Sequence, residues 1–165
     1  MSAVPPTEAD RLAELRRYEI LDSGPEPLFD HVVSLASDLL HAPIALISLI
    51  DENRVWFKAK HGLAVEQVQR NRSLCTHAME SDGVFQIQDL TRDPRSATHE
   101  LVTGEPFVRF YASAPIRSRQ GHKLGVLCAM DTETRTLTGK ETDDLKTLAA
   151  LVSALVPARG LGRLE

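Results

Sequence analysis

Cysteine is scarce in this sequence: Cys75 and Cys128 are the only two, and neither belongs to a C-x-x-C pair. This scarcity excludes a disulfide framework and zinc sites of the finger or ribbon type, and it favours a reducing, cytoplasmic location. An excess of positive charge is also missing, because 19 Lys and Arg stand against 23 Asp and Glu. We therefore expect no nucleic-acid partner, since phosphate binding requires a concentrated basic surface.

Long apolar runs are missing as well. The longest, from Pro43 to Ile50, is far too short to span a bilayer, and the N-terminus lacks the regions of a signal peptide. We expect no membrane partner. The composition, 42% hydrophobic and 25% charged over 165 residues, is typical of one folded domain. We assign this domain to residues 9–156, with a flexible N-terminal tail at 1–8 and a C-terminal tail at 157–165, whose last residues Leu164-Glu165 resemble a vector-derived end.

Helical periodicity occupies both ends of the chain. Thr7 predicts an N-cap for a first helix that continues to Leu21. After a Gly-Pro break, a second helix is predicted by an apolar stripe at Leu28, Val32, Leu35, Ala36, Leu39 and Leu40. The capping box of Thr138 and Glu141 begins a final helix.

Strand patterns lie between these helices. Residues 44–50 carry apolar side chains on both alternating faces, which predicts a central strand, and residues 54–60 complete a hairpin. Further strands are predicted at 84–87, 108–116 and 123–130, with a short helix capped by Ser73 and a long loop at 89–106. The order predicts an α+β sandwich: a central antiparallel sheet of five to six strands, terminal helices on one face, and short helices and the long loop forming a pocket on the other.

Several segments together resemble a known family. They are Pro43–Asp51, Arg54–Ala59, Ser73–Ala78, Arg109–Ala112 and Gly125–Asp131. In order and spacing they resemble GAF domains, most closely the bacterial signalling domains that stand alone or precede histidine kinases and diguanylate cyclases. The resemblance runs from about Arg11 to Val156. It implies a ligand pocket on one face of the sheet, terminal helices that often dimerise, and a kinase or cyclase as the output partner.

Two well-known kinds of GAF ligand match the sequence poorly. Cyclic-nucleotide-binding members carry an Asn-Lys pair after the last strand, where this chain has Asp131-Thr132. Bilin-binding members attach their chromophore to a cysteine that is usually followed by His, whereas Cys75 is followed by Thr76. We predict no cofactor and leave the ligand unidentified.

The predicted pocket takes its residues from several segments. The candidate ligand-binding residues are Trp56, Arg72, Ser73, Cys75, His77, Arg109, Tyr111 and Asp131. Arg72 and Arg109 favour an anionic ligand, because a guanidinium can bind a carboxylate or phosphate through two hydrogen bonds. In the alternative, either arginine pairs with Asp89, Asp93 or Asp131 and fastens the loop.

Strand alternation decides between two neighbouring aromatic residues. Phe110 and Tyr111 must point to opposite faces, and Tyr111 shares its face with Arg109 and Ser113. We therefore assign Tyr111 to the pocket, where its hydroxyl would be a polar handle. Trp56 shares its alternating face with Arg54, Lys58 and Lys60, so it either caps the pocket or lies under lysine stems on the sheet surface.

No catalytic or metal site is predicted. Cys75 and His77 lie two residues apart, so on a helix they point about 200° apart and make a poor nucleophilic dyad or metal site. The alternative is that Cys75 is a small buried side chain and His77 binds backbone. Asp89, Asp93 and Arg95 favour an ion pair that fixes the loop over a metal site.

We expect a non-catalytic sensor of a small molecule, with two alternatives. One is a ligand-free dimerisation or protein-interaction module, suggested by the extra apolar residues Leu151 and Ala154 on the final helix. The other is a thiol-dependent free methionine sulfoxide reductase, an activity found among GAF relatives that use several cysteines. Cys128 alternates with Val126 and Met130 as core, which leaves Cys75 without a clear resolving partner.

Overall fold

The computed structural model describes residues 7–159, so most of both predicted tails, with Leu164-Glu165, lies outside the described residues. Within this range the chain forms α1 (Glu8–Arg17), α2 (Pro27–Leu40), β1 (Ile44–Ile50), β2 (Arg54–His61), β3 (Gln67–Gln69), a 3₁₀ turn (Arg70–Arg72), α3 (Leu74–Ala78), β4 (Phe85–Ile87), α4 (Glu100–Thr103), β5 (Phe110–Arg117), β6 (Lys123–Asp131) and α5 (Gly139–Ala158). Helix α1 already includes Glu8, and α5 extends two residues beyond the predicted domain end. No helix among residues 7–159 is long and apolar enough to cross a membrane.

One antiparallel sheet organises the chain, in the order β3-β2-β1-β6-β5-β4. Strand β1 lies near the middle with all seven residues buried, as its two apolar faces predict. Gly125 allows β6 to approach β1, since a Cβ at this position would stand 1.9 Å from the carbonyl oxygen of Ser48. The predicted α+β architecture with an antiparallel sheet is confirmed.

The two faces of the sheet carry separate apolar cores. On one face, which we call the helix side, α2 and α5 pack over residues such as Ile47, Phe110 and Leu127. On the other, the cavity side, α3 and the segment around α4 cover residues such as Leu46 and Tyr111. The buried apolar strand residues therefore divide between two environments, and the side of the sheet decides whether such a residue can reach a ligand on the cavity side.

The helices and short elements differ from the sequence predictions in detail. Helix α1 ends at Arg17 instead of Leu21, and Glu19 and Asp22 then adopt positive φ values of 52° and 63°. On α2, Leu28 and Leu35 are 61% and 45% exposed, because the buried stripe follows Phe29, Val32, Val33, Ala36 and Leu40. Strand β3 and helix α4 were not predicted, since three and four residues are too few to show a period.

A bulge between β1 and β2 changes which side chains share a face. Ile47 pairs with Ala59 and Ser48 pairs with Phe57, so Lys58 is the extra residue. Phe57 belongs to the cavity-side core, whereas Trp56 and Ala59 belong to the helix-side core. Trp56 therefore lies away from the cavity, and its assignment to the pocket is wrong. The alternative, that lysine stems cover it on the sheet surface, is wrong as well, because α2 covers this face of β2 and leaves Trp56 8% exposed.

Candidate functional site

A cavity of about 270 Å³ opens on the cavity side of the sheet, and we call it the inner cavity. Its floor comes from the strands: Leu46, Phe57, Tyr111, Cys128 and Met130. Its walls come from the segment after β2, from α3 and from α4, and they are Leu63, Val65, Val68, Leu74, Cys75 and Leu101. Polar residues lie among the lining as well, and they are Gln67, Gln69, Arg72, Ser73, His99 and Glu100. The lining as a whole is predominantly apolar, which suits a small ligand with a hydrophobic body.

Local hydrogen bonds fix α3 as one wall of the inner cavity. The Oγ of Ser73 accepts from the backbone N–H of Cys75 at 3.1 Å, which is the N-cap that the sequence predicts. The hydroxyl of Thr76 donates to the carbonyl oxygen of Arg70 at 2.6 Å and joins the helix to the preceding 3₁₀ turn. These bonds hold α3 in an orientation in which Leu74 and Cys75 lie in the cavity-side core.

Tyr111 lies on the cavity side and Phe110 on the helix side, as alternation predicts. The Tyr111 hydroxyl donates to the Sγ of Cys75 at 3.3 Å. The ring of Phe85 contacts Tyr111 edge-on, with centroids 6.0 Å apart. Burial raises the pKa of Tyr111 well above its ordinary value, so the hydroxyl remains a donor at physiological pH.

The two cysteines are neighbours at this site. Both line the inner cavity, and each thiol is the largest influence on the pKa of the other. Hydrogen bonds from Cys128 and Tyr111 lower the pKa of Cys75 against the opposing effect of burial, and the pKa of Cys128 rises well above its ordinary value. The expectation that Cys75 lacks a partner is therefore wrong. The sequence places Cys128 correctly on the face of Val126 and Met130, but that face is the cavity side.

Arg109 does not line the inner cavity. Its Nη1 donates to the carbonyl oxygens of Val102 at 2.9 Å and Val108 at 3.1 Å, and its guanidinium lies 6.0 Å from the ring of Phe107. The residue therefore ties α4 to the chain immediately before β5. Its assignment as a ligand-binding residue is wrong for this cavity, because backbone carbonyls occupy the guanidinium.

Asp131 also lies outside the lining of the inner cavity. Its carboxylate pairs with Arg135 at 3.0 Å, and Arg135 in turn pairs with Glu141 at 2.6 Å. The same guanidinium donates to the carbonyl oxygens of Leu40 and His41. Asp131 thus belongs to a polar junction between the end of β6 and the start of α5, and it does not reach the inner cavity.

A second, more polar pocket of about 450 Å³ adjoins the first, and we call it the outer pocket. It shares Arg72, Ser73, His99 and Glu100 with the inner cavity. His77 lies in the outer pocket only, apart from Cys75, as the helical spacing predicts. The predicted positive charge is therefore found at the mouth of the site and not in its interior.

The charges at this mouth are largely balanced. Arg72 lies 3.5 Å from Glu100, and both side chains are mostly exposed. His99 accepts from the N–H of Leu101 through Nδ1 at 3.1 Å, and burial lowers the pKa of His99. An incoming anion would have to compete with Glu100 for Arg72.

The long loop is fixed by an internal ion pair, as predicted. Arg95 donates to the two carboxylate oxygens of Asp93 at 3.0 and 2.8 Å, and its guanidinium lies 5.0 Å from the ring of Phe85. Asp89 accepts hydrogen bonds from Thr91 and lies 3.5 Å from the guanidinium of Arg92. Among the described residues, no group of three or more His, Cys, Asp or Glu is arranged to hold a metal ion.

Sequence reasoning missed most of the apolar lining. Leu46, Phe57 and Met130 follow the same alternation as any core residue, so no pattern separates a cavity wall from a packed interior. Leu63, Val65 and Leu101 lie in segments without a clear period. The one available signal was the long loop, whose presence in a compact domain is typical of a binding site.

Comparisons with known proteins agree on the family. The family model described as GAF domain matches residues 24–156. Over 153 residues the chain is 38% identical to the cyclic di-GMP phosphodiesterase PA2567 of Pseudomonas aeruginosa, a match that covers 92% of this chain and 26% of that protein. The chain thus spans about a quarter of the length of this relative.

Solved structures show the same fold. The GAF domain from a phosphoenolpyruvate-protein phosphotransferase of Coxiella burnetii superposes with a TM-score of 0.70 at 20% identity, covering 94% of this chain and 98% of that one. The free methionine-R-sulfoxide reductase of Neisseria meningitidis, in complex with its substrate, gives 0.66 at 17% identity, covering 97% and 99%. At these identities the likeness extends to the fold alone.

Proposed function

Since the chain belongs to the GAF domain family, whose members are sensor-type signalling domains, we propose that it binds a small molecule in the inner cavity without catalysing a reaction. The observation that carries the proposal is the cavity itself, about 270 Å³ of mostly apolar space beneath α3 and α4. Small-molecule sites are typically concave, apolar and furnished with a few polar groups. We infer that no cofactor is needed and that the chain acts in the cytoplasm.

The lining favours a ligand with two chemically different ends. Leu46, Phe57 and Met130 offer an apolar floor for a compact hydrophobic body. A carboxylate or phosphate would then lie at the mouth and displace Glu100 from Arg72. This placement keeps the anionic preference of the sequence but assigns it to Arg72 alone, since Arg109 is bound to backbone.

Ligand binding would reach the helix side through β5. Tyr111 faces the inner cavity, and its neighbour Phe110 lies in the helix-side core, on the strand against which α5 packs. The backbone N–H of Arg117 donates to the Oγ of Ser153 at 2.9 Å, which joins the end of β5 to α5 directly. We infer that occupancy of the cavity shifts the packing of α5, and that a histidine kinase, diguanylate cyclase or cyclic di-GMP phosphodiesterase carries the output.

A thermal-shift screen against small carboxylates and phosphates tests the binding proposal. A ligand that binds only the folded chain raises its stability by about 2.7 kcal/mol at 100 times Kd. Leu63→Trp should fill the inner cavity and abolish the shift. Leu28→Trp is the matched control, because Leu28 is 61% exposed on α2, and should leave the shift unchanged. A shift that survives Leu63→Trp would mean that the ligand binds elsewhere.

The same samples test the enzymatic alternative. A free methionine sulfoxide reductase would consume the free sulfoxide with a thiol reductant, and Cys75→Ser would remove the activity. Consumption by the unmodified chain would overturn the non-catalytic proposal.

Self-association is a second proposed function, favoured by a specific observation. Leu28 and Leu35 on α2 and Leu151 on α5 are 61%, 45% and 45% exposed, on helices that pack against each other over one face of the sheet. Apolar side chains exposed on adjoining helices are typical of a helical interface. Light scattering should show a dimer that Leu151→Glu dissociates, while Val65→Glu, on the cavity side, leaves it intact. A monomer in every sample would end this proposal.

A further inference from the structure

We propose that Cys75 and Cys128 form a redox-active dithiol, which a small hydroperoxide converts into an intramolecular disulfide. The proposal concerns chemistry of the protein itself. It requires neither a ligand in the inner cavity nor turnover of methionine sulfoxide.

The fold brings the two thiols together from distant elements. Cys75 lies on α3 and Cys128 on β6, and α3 packs against β5 and β6. The Oγ of Ser48 lies 3.9 Å from the Sγ of Cys128, and the Tyr111 hydroxyl lies 3.3 Å from the Sγ of Cys75. The chain has no other cysteine, so any disulfide must join this pair or join two chains.

Access to the thiols is through the inner cavity. The two residues are only 4% and 1% exposed, yet both line the inner cavity, which opens to solvent. A volume of about 270 Å³ admits hydrogen peroxide or a small alkyl hydroperoxide. The apolar lining favours the alkyl form, and the burial disfavours disulfides between chains.

The surroundings assign different roles to the two sulfur atoms. The Tyr111 hydroxyl donates to Cys75, which stabilises negative charge on that sulfur, and the pKa of Cys75 is lowered while that of Cys128 is raised. Cys75 is therefore the sulfur that attacks the peroxide, and Cys128 is the resolving thiol. Tyr111 is a positioning residue in this step.

The chemistry balances with the hydroperoxide as the only oxidant. The Cys75 thiolate attacks the terminal oxygen of the hydroperoxide, the O–O bond breaks, and the alkoxide leaves as the alcohol with the proton from the Cys75 thiol. Cys75 is then a sulfenic acid. The sulfur of Cys128 attacks the sulfur of Cys75 and displaces hydroxide, which leaves as water with the Cys128 proton. Two thiols are oxidised, and one hydroperoxide is reduced to alcohol and water.

The disulfide would alter the site that it adjoins. Helix α3 has only five residues and forms a wall of the inner cavity, whereas β6 lies inside the sheet. A bond between Cys75 and Cys128 would fasten that wall to the floor.

Intact-mass measurement on the folded, reduced chain tests the proposal. Stoichiometric hydrogen peroxide and tert-butyl hydroperoxide are compared in separate arms, without added ligand. We expect the loss of two hydrogen atoms from a monomer, the loss of both alkylatable thiols, and recovery of both with dithiothreitol. Faster oxidation by the alkyl form would identify it as the preferred oxidant, and faster oxidation by hydrogen peroxide would overturn the preference argued from the lining.

Single variants separate the steps. Cys128→Ser should stop at a sulfenic acid that dimedone labels on Cys75, and Cys75→Ser should leave Cys128 unoxidised. Tyr111→Phe should slow the first step about fivefold at pH 7 and shift its pH profile upward, because one hydrogen bond to the thiolate is lost. Tyr18→Phe, at the only other tyrosine, should change neither the rate nor the profile.

Three results would overturn the proposal. They are oxidation of Cys75 to sulfinic acid with Cys128 still free, disulfides found only between chains, and peroxide reactivity no greater than that of free cysteine. Because the thermal-shift screen uses reduced protein and this assay uses no ligand, the two proposals fail independently. If the chain forms the disulfide but binds no small molecule, the dithiol proposal stands and the sensor proposal fails.

Discussion

At the residue scale, Lys58 illustrates how a charge is held inside this fold. Its side chain is fully buried, its Nζ lies 2.5 Å from Glu26, and it donates to Ser23 and to the carbonyl oxygen of Gly24. Removing one partner of a buried pair is costly because the other charge remains unpaired. We expect Glu26→Ala to lower the free energy of unfolding by about 3 kcal/mol, and Lys58→Met by less, since the methionine leaves no buried charge.

Urea unfolding of both variants measures this difference. Glu66→Ala is the control: Glu66 also pairs with a lysine, Lys60, but its side chain is 77% exposed, and exposed pairs contribute about 0–1 kcal/mol. A larger loss for Lys58→Met than for Glu26→Ala would contradict the argument. Sequence alternation assigned Tyr111 to the correct face and also separated Trp56 from Phe57, but it did not show which face of β2 the helices cover. The bulge at Lys58 moves Ala59 from the face of Phe57 to the face of Trp56. Nothing in the sequence marks that bulge.

At the element scale, the start of α5 is fixed by both a cap and an ion pair. Glu141 completes the capping box with Thr138 and pairs with Arg135, and its side chain is 11% exposed. Burial raises the pKa of Glu141, but the Thr138 N–H and the Arg135 guanidinium outweigh it, so the net pKa is lowered. A carboxylate with a lowered pKa stabilises the fold above its unfolded pKa, and this contribution disappears as the pH falls through its folded value.

The variant Glu141→Gln isolates the charge, because glutamine can also complete a capping box. We expect a loss of about 1–3 kcal/mol at pH 7 that shrinks as the pH falls from the ordinary pKa of glutamate through the lowered pKa of Glu141, because the glutamate of the parent chain then becomes protonated. Thermal unfolding from pH 3 to 7 measures it, with Asp144→Asn as control, since its partner Lys140 is 78% exposed. A deficit that does not change with pH would show that the charge is irrelevant. The sequence predicts the capping box. It does not predict the ion pairs of Arg135, because the partners of this residue come from α2, β6 and α5.

At the scale of the whole molecule, one sheet serves two cores, and the sequence could predict the sheet but not the cavity. Alternation in β5 and β6 separates the faces, yet the apolar residues that surround a cavity and those that fill a core look the same. The sequence therefore does not show whether the helix side and the cavity side unfold together. The chain carries a natural probe on each side: Trp56 is the only tryptophan and lies in the helix-side core, and Cys128 lies in the cavity-side core.

We expect the two sides to unfold as one cooperative unit, because β1, β5 and β6 contribute residues to both cores and cannot separate without breaking the sheet. In a Cys75→Ser variant, Cys128 is the single thiol and lies on an interior strand. Trp56 fluorescence and alkylation of Cys128 by a reagent too large to enter the inner cavity should then give the same urea midpoint. Alkylation at a clearly lower urea concentration would instead show that α3 and α4 open before the sheet unfolds. That result would make the wall of the inner cavity a separate unit, able to open while α2 and α5 remain packed.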